Sequence, residues 1–504
     1  MRLIPVSQPA LRHVTVEVRV PRRACRRWHR WLVEALLAQG HRVSLRICDG
    51  PADEVAGLEL LGFVERMLYQ HQLGEETDAS AVIEARDWVG GPAADRPEVI
   101  FDCSTTDGPY PETGEVLLPS FDGMRSLAGL VGSLIGQREP LIGWRRKSDG
   151  ALVAGGRAAL AARHILTATL AQSLALMPGL GARALADTMQ AGAVTAPGAV
   201  SANLPAGHLA ITRFGLANLA DRLSRRLRET LTTPRQWSVA WRRVAPEQGL
   251  VAAASFDPTC YTWLPRDPAR YFADPFLFEH QGGMFLFCEE FPHATGRGLI
   301  SVMEWTGNGF GTPRPVLERP YHLSYPCVFR HGSEIWMIPE TTAAGTLELY
   351  RATDFPDRWS LHGVIAEGIN AADATVFKHD GLIWIAAGTA APGSSDRDQL
   401  SLFFAESLEG PWQQHPLNPV VVDAFGARPA GGWQSTPSGW RRPAQDCSGG
   451  YGWGLSLRRI DRLDRERFAE TELIRFPPPA VLDATGFHTV NVGGGLETID
   501  ALKP

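Results

Sequence analysis

Asp274 and Asp373 occupy equivalent positions in two copies of one short motif, 99 residues apart in sequence. The copies read Ala-Asp-Pro-Phe-Leu-Phe-Glu-His over 273–280 and Ala-Asp-Ala-Thr-Val-Phe-Lys-His over 372–379. A third, Ser-Tyr-Pro-Cys-Val-Phe-Arg-His, covers 324–331 and carries Tyr325 at the matching place. Paired carboxylates suit acid–base chemistry, because one can stay charged while its neighbour's pKa rises. Glu290 and Glu340 end the apolar runs that follow the first two copies and are further candidates for proton transfer. The bland alternative is that each Asp caps a turn at a strand start.

The elements that position these residues follow from the repeat. Each copy leads into a turn glycine (Gly282, Gly332, Gly381) and a second apolar run. Phe278, Phe329 and Phe377 are spaced by 51 and 48 residues, the period of a β-propeller blade. Radial blades aim the starts of their inner strands at one central point, so Asp274 and Asp373 are expected to share a pocket with Tyr325 and Arg428. Blades are expected over 271–320, 321–368 and 369–426, with a fourth from 427. A fifth must combine 486–492 with 237–244, which closes the ring and removes free edges. His280, His331 and His379 sit at hairpin turns that radial geometry spreads apart, so no shared metal site is expected. The polar stretch from Arg428 to Asp446, together with His488 in Gly486-Phe487-His488-Thr489, offers further groups facing the ring centre.

The first part of the chain alternates strands (14–20, 42–48, 98–102, 115–119) with helices (22–39, 58–69), followed by helical sequence from 156 to 189. That order argues for a mainly parallel, Rossmann-like sheet. No Gly-x-Gly-x-x-Gly follows the first strand, which disfavours dinucleotide binding, and no cofactor is expected. Arginines at 22, 23, 26, 27 and 30 lie near a helix start, where they can hold an anion or form a solvated face. Residues 191–207 are rich in Ala, Gly, Pro and Ser and read as a linker, and 209–231 as a helix. The expected domains are therefore 1–190, a linker and helix over 191–235, and a propeller over 236–504.

A chain of 504 residues is too long for one core. A net charge of −6 gives no reason to expect nucleic-acid binding. Seven scattered cysteines with no Cys-x-x-Cys pair argue against a disulfide framework or zinc site and for a reducing compartment. The N-terminus lacks a signal-peptide core, and Arg163, His164 and Gln172 interrupt the most apolar helical stretch. A cytoplasmic protein without a transmembrane segment is expected.

Three resemblances add to this reading. Leu117-Leu118-Pro119-Ser120-Phe121-Asp122-Gly123 resembles the Leu-Leu-Pro-x-aromatic-x-Gly segment of folate-dependent formyltransferases. That implies their Rossmann-like fold, but the positions of their catalytic Asn and His hold Glu112 and Gly114, and their downstream Asp corresponds loosely to Asp149. The repeated Asp motif resembles five-bladed glycoside hydrolases of the arabinanase, xylosidase and fructosidase type. That resemblance implies Asp274 as base or nucleophile and Asp373 as the orienting carboxylate. The family's acid, a Glu in a later blade, has no counterpart at Arg428, which leaves Glu340 or Glu290 as substitutes. Most closely, the set Asp-Pro-Phe-Leu-Phe, Tyr-Pro-x-Val-Phe, Ile-Pro-Glu, Asp-Ala-Thr, Arg-Pro-Ala-Gly and Arg-Pro-Ala-Gln-Asp resembles the N-terminal propeller of glucosamine inositolphosphorylceramide transferases. Bacterial relatives pair that module with a formyltransferase-like domain; the glycosyltransferase domain of the plant proteins is expected to be missing here.

The resemblances imply a carbohydrate-active protein whose propeller pocket takes a sugar or glycolipid headgroup for hydrolase- or transferase-type chemistry. Tyr325, Arg428, His488 and Asp446 would bind polar groups of the substrate. Two alternatives stay open: a non-catalytic glycan-binding or scaffold protein, and a formyltransferase acting on a sugar nucleotide amine.

Overall fold

Val16, Val18 and Val20 are fully buried in β1 (Thr15–Pro21), which lies between two parallel partners, β2 (Arg42–Cys48) and β3 (Val99–Asp102). The computed structural model describes residues 13–69, 77–84, 88, 96–112, 114–189, 207–229 and 235–504. These fall into two compact units, one within 10–232 plus 391–395 and the other within 233–390 and 396–504.

In the first unit β4 (Glu115–Phe121) adds parallel to β3, and β5 (Ile142–Arg146) and β6 (Leu152–Gly156) add antiparallel, giving the order β2-β1-β3-β4-β5-β6. The helix α1 (Arg27–Ala38) buries Trp28, Leu32 and Leu36, and α2 (Leu58–Tyr69) follows β2. Trp144 of β5 is fully buried, with its ring edge-on to Phe101 at 4.7 Å and its Nε1–H donated to Met177 O at 3.1 Å.

Several sequence expectations shift here. The helix expected over 22–39 starts at Arg27, because Ala24 turns the chain with φ 57°. Helical sequence expected from 156 starts at α4 (Leu166–Ala175) and continues as α5 (Met177–Met189), since 152–156 pair with β5 as a strand. The sequence reading missed α3 (Leu127–Ile135) and the β5–β6 hairpin. Asp149 caps that hairpin's turn, accepting from Ala151 N–H at 3.0 Å and pairing with Arg146 at 3.0 Å. It serves as a turn residue in this hairpin. At Gly114 φ is +131°, and a Cβ would sit 2.7 Å from Pro97 O, so no side chain fits where the formyltransferases carry their His. The expected helix 209–231 is α6 (His208–Glu229); the linker at 191–206 and residues 230–234 lie outside the described residues. Among the described residues no helix is long and apolar enough to cross a membrane.

The second unit contains five sheets that form a five-bladed propeller. Blade one is β9–β12 (Arg270–His280, Gly283–Pro292, Leu299–Glu304, Arg314–Leu317). Blade two is β13–β16 (Ser324–His331, Glu334–Glu340, Thr346–Asp354, Arg358–Glu367). Blade three is β17–β20 (Ala371–His379, Leu382–Thr389, Gln399–Ala405, Gln413–Gln414), with β21 (Val421–Val422) on β19. Blade four is β22–β25 (Gln434–Thr436, Gly439–Asp446, Gly454–Leu463, Phe468–Phe476). Blade five joins β26 (Val490–Gly493) and β27 (Leu496–Lys503) to β7 (Gln236–Arg243) and β8 (Thr262–Trp263), and β27 pairs with β7 along its whole length. Strands from the start of the second unit and from the C-terminal stretch thus complete one sheet, as expected from the repeat. Apolar side chains fill the wedges between blades, for example Ile338 and Leu349 of blade two against Ile383 and Ile385 of blade three.

Candidate functional site

The first strands of blades one to three share an irregularity at the repeated motif. Pairing with the second strand slips between Ala273 and Phe276, between Ser324 and Cys327, and between Ala372 and Thr375. At those slips Asp274, Tyr325 and Asp373 hold φ values of 51°, 44° and 53°. The left-handed region costs an L-residue roughly 1–2 kcal/mol, less for Asp, whose side chain bonds locally. Such bulges re-aim side chains, and the strain persists only where surrounding contacts over-determine it.

Those contacts stitch blade to blade. Asp274 Oδ2 accepts Tyr325 N–H at 3.2 Å, its Oδ1 accepts the Thr489 hydroxyl at 2.9 Å, and its own N–H is donated to Asp500 Oδ2 at 3.0 Å. Asp373 N–H is donated to Glu340 Oε2 at 3.1 Å. Arg428, 5% exposed, meets three carboxylates: Asp373 at 2.6 Å through Nε, Asp396 at 3.0 Å and Glu340 at 3.2 Å. Gln445 Nε2 adds a second donor to Asp373 Oδ2 at 2.7 Å.

His488 forms the other half of the cluster. Its Nδ1 lies 2.8 Å from Asp500 Oδ1 and its Nε2 3.7 Å from Asp274 Oδ1. Trp237 stacks on the ring at 3.9 Å and 11°, and Tyr451 meets it edge-on at 5.5 Å. Asp274, His488 and Asp500 offer ligand atoms within 4.8 Å of one another, a spacing that can hold a metal ion. Tyr451 is 41% exposed although the guanidiniums of Arg397 and Arg428 each lie 5.1 Å from its ring centroid. Its side chain is partly accessible beside buried charge.

The surroundings drive these groups' pKa values apart. Burial pushes Asp274 up, with His488 opposing and Asp500 adding to the rise. Burial also pushes Glu289 well up, reinforced by the charges of Asp274 and Glu340. Burial works against Glu340 too, but Arg428 and the bonds from Asp373 and Thr342 leave it below the usual carboxylate range. His488 loses to burial and gains more from Asp500 and Asp274, so it ends above its ordinary value. Asp373 is pushed up by burial against the pull of Arg428. Its Oδ2 only accepts, so a proton on this group resides on Oδ1.

Among the residues expected from sequence, Asp274, Asp373, Glu340, Arg428 and His488 are linked through these contacts. Tyr325 is also central but wholly buried, not lining a solvent-filled pocket as expected. Its hydroxyl accepts Gly431 N–H at 2.6 Å and contacts Thr375 Oγ1 at 2.8 Å, so it braces the blades. Glu290 pairs with Arg270 at 2.7 Å and accepts from Ser301 at 2.6 Å, outside this network. Its neighbour Glu289 is buried within reach of the charges of Asp274 and Glu340, with an Oε1 that makes no hydrogen bond and lies 3.4 Å from His322 Nε2. Asp446 is fully buried and caps Ser448 N–H at 2.9 Å, with Arg475 at 3.4 Å. It belongs to the packing of blade four.

Asp500, Thr489, Glu289, Tyr451 and Asp396 escaped the sequence reading.

Residues 247–477 match the family model described as glucosamine inositolphosphorylceramide transferase 1, N-terminal. The chain is 35% identical over 208 residues to glucosamine inositolphosphorylceramide transferase 1 of Oryza sativa subsp. japonica, covering 40% of this chain and 28% of that protein. The Arabidopsis thaliana protein of the same name is 32% identical over 251 residues, 49% of this chain and 31% of its own. The chain therefore spans under a third of the length of these curated relatives. Among solved structures, the GH43_1 enzyme from Xanthomonas citri complexed with xylotriose aligns at TM-score 0.34 and 12% identity, over 46% of this chain and 87% of that one. The β-1,2-mannobiose phosphorylase from Listeria innocua aligns at TM-score 0.35 and 12% identity, over 52% and 96%.

Proposed function

We propose that the propeller processes a sugar or glycolipid headgroup at the cluster around Asp274. The observation that carries this is the divergence of neighbouring carboxyl groups: Glu289 is held toward its neutral form while Arg428 holds Glu340 ionised. Groups separated in this way serve as acid and base in one site. In this reading Asp274 is the general base or nucleophile and Asp373 the orienting carboxylate. Glu289 replaces Glu290 as proton donor, and the exposed part of Tyr451 contacts the sugar. The names of the relatives supply the substrate class, a glycosylated inositolphosphoryl lipid headgroup or its sugar donor.

A non-catalytic glycan-binding protein is the second reading, favoured by one observation. Arg428 occupies the centre with three carboxylates around it, which leaves fewer of them free for chemistry. Folate-dependent formyl transfer by the first unit is the weakest reading, since Glu112 and Gly114 supply no acid–base pair. A degenerate formyltransferase-like domain still accounts for Leu117–Pro119 on β4 and the parallel order of β1 to β4.

The deciding experiment uses the full chain against a panel of glycosides, inositol phosphates and sugar nucleotides, with binding and turnover followed in parallel. Turnover abolished by Asp274→Asn supports catalysis, binding without turnover supports the second reading, and neither across the whole panel removes both.

A further inference from the structure

The first unit carries a recess at the C-terminal ends of its parallel strands. Pro21 at the end of β1, Cys103 just past β3 and Pro119 and Phe121 of β4 line it, together with Arg26, Trp28 and Arg125. Strand order reverses between β1 and β3, the place where open parallel sheets bind ligands.

Three N–H donors of the residues lining this recess are buried without an acceptor among the described residues: Arg26 Nε, Trp28 Nε1 and Arg125 Nε. Each guanidinium commits only its terminal nitrogens to protein. Arg26 donates to Ser80 O at 2.6 Å and to Asp53 O at 3.4 Å; Arg125 pairs with Asp107 at 2.7 Å and Asp102 at 3.1 Å. Among the described residues no carboxylate lies within ion-pair distance of Arg26, which is 8% exposed. The helix ends nearby are already satisfied. Asp53 accepts Leu127 N–H at 2.9 Å at the start of α3, while Ala79 and Ala81 carbonyls accept the first N–H groups of α1. His29, pushed by burial down to about 3, is neutral and accepts Arg26 N–H at 3.0 Å. It adds no acceptor for the orphan donors.

A buried donor left unpaired forfeits its hydration without return, the more so when the group is charged, so three beside one recess call for an occupant. A water offers two lone pairs; a carboxylate or phosphate offers at least four and also balances a guanidinium. We propose that this recess is a binding site for a small anion, a carboxylate or phosphate head group, held by Arg26, Trp28 and Arg125. Among the described residues Asp53 is the one carboxylate lining the recess; burial pushes it up toward its neutral form, against the bond from Leu127 N–H and the charge of Arg26. Phe121 and Leu127 give the head group's carbon body an apolar wall. The site is independent of the propeller chemistry.

The test is calorimetric titration of the full chain with sodium phosphate, acetate and benzoate against chloride at matched ionic strength. Saturable binding of at least one is expected, weakened about tenfold or more in Arg26→Gln and in Trp28→Phe. Trp28→Phe keeps an aromatic ring and the arginine charges while removing the indole N–H, so it serves if Arg26→Gln fails to fold. Phosphate without the carboxylates assigns a phosphate ester, and the reverse assigns an organic acid. No saturable binding of any of the three overturns the proposal, as does affinity unchanged in both variants.

Discussion

Arg428 Nε lies 2.6 Å from Asp373 Oδ2, joining blades three and four at the centre of the ring. Both side chains are almost fully buried, and the same guanidinium also meets Glu340 and Asp396. One cation thus balances three carboxylates drawn from separate parts of the chain.

Replacing Arg428 with Met should destabilise the propeller by about 3–5 kcal/mol, because buried carboxylates would be left unpaired. Chemical denaturation at neutral pH measures this. Arg428→Met combined with Asp373→Asn should lose much less than the two single losses added together. Simple additivity would mean that the pair is not coupled.

Asp274→Asn should leave the fold intact. An amide at the Oδ1 position would face the Thr489 hydroxyl, which can turn to accept, while the remaining oxygen keeps the Tyr325 N–H. Turnover, where the panel reveals it, should fall by about a hundredfold or more with the melting temperature nearly unchanged. Full activity in a folded variant would remove Asp274 from the chemistry.

Glu289 sets a pH dependence whose sign is fixed by its raised pKa. The folded protein binds this proton more tightly than the unfolded chain does. Its contribution to stability is therefore complete below about pH 4.5 and is lost as pH rises through its folded value. Asp274 and His488, also raised, act in the same sense, whereas the contribution of Glu340 is lost as pH falls. Glu289→Gln should become progressively more stable relative to the parent as pH increases above about 4.5. Denaturation midpoints across pH would show this widening gap; a constant difference would mean that Glu289 does not titrate as described.

Tyr325→Phe should cost about 1–3 kcal/mol, since the Gly431 N–H loses its buried acceptor. Ligand affinity should stay unchanged, because no part of Tyr325 is exposed. A selective loss of binding at full stability would return this residue to the substrate site.

Much of the propeller was legible in the chain itself. Spacings of 51 and 48 residues set the blades, and the equivalence of Asp274 and Asp373 followed from their shared place in the repeat. Ring closure by both ends was readable too, because an odd strand set at each end has no other partner. In the first unit the reading left residues 124–155 without elements, and the β5–β6 hairpin went unseen although Asp149-Gly150 marks its turn.

Which glutamate joins the site was beyond the sequence. Glu289 and Glu290 are adjacent on β10, and their facing depends on parity along the strand. The bulge at Asp274 makes Phe287 face Phe276 and Glu289 face Ala273, an offset that no apolar pattern records. The pairing of His488 with Asp500 likewise depends on the register of β26 with β27, and the burial of Tyr325 on how three blades meet. Local pattern determined the repeats and the strand starts. Only the tertiary structure decided which side chains face the centre, because that depends on bulges and inter-blade contacts between residues far apart in the chain.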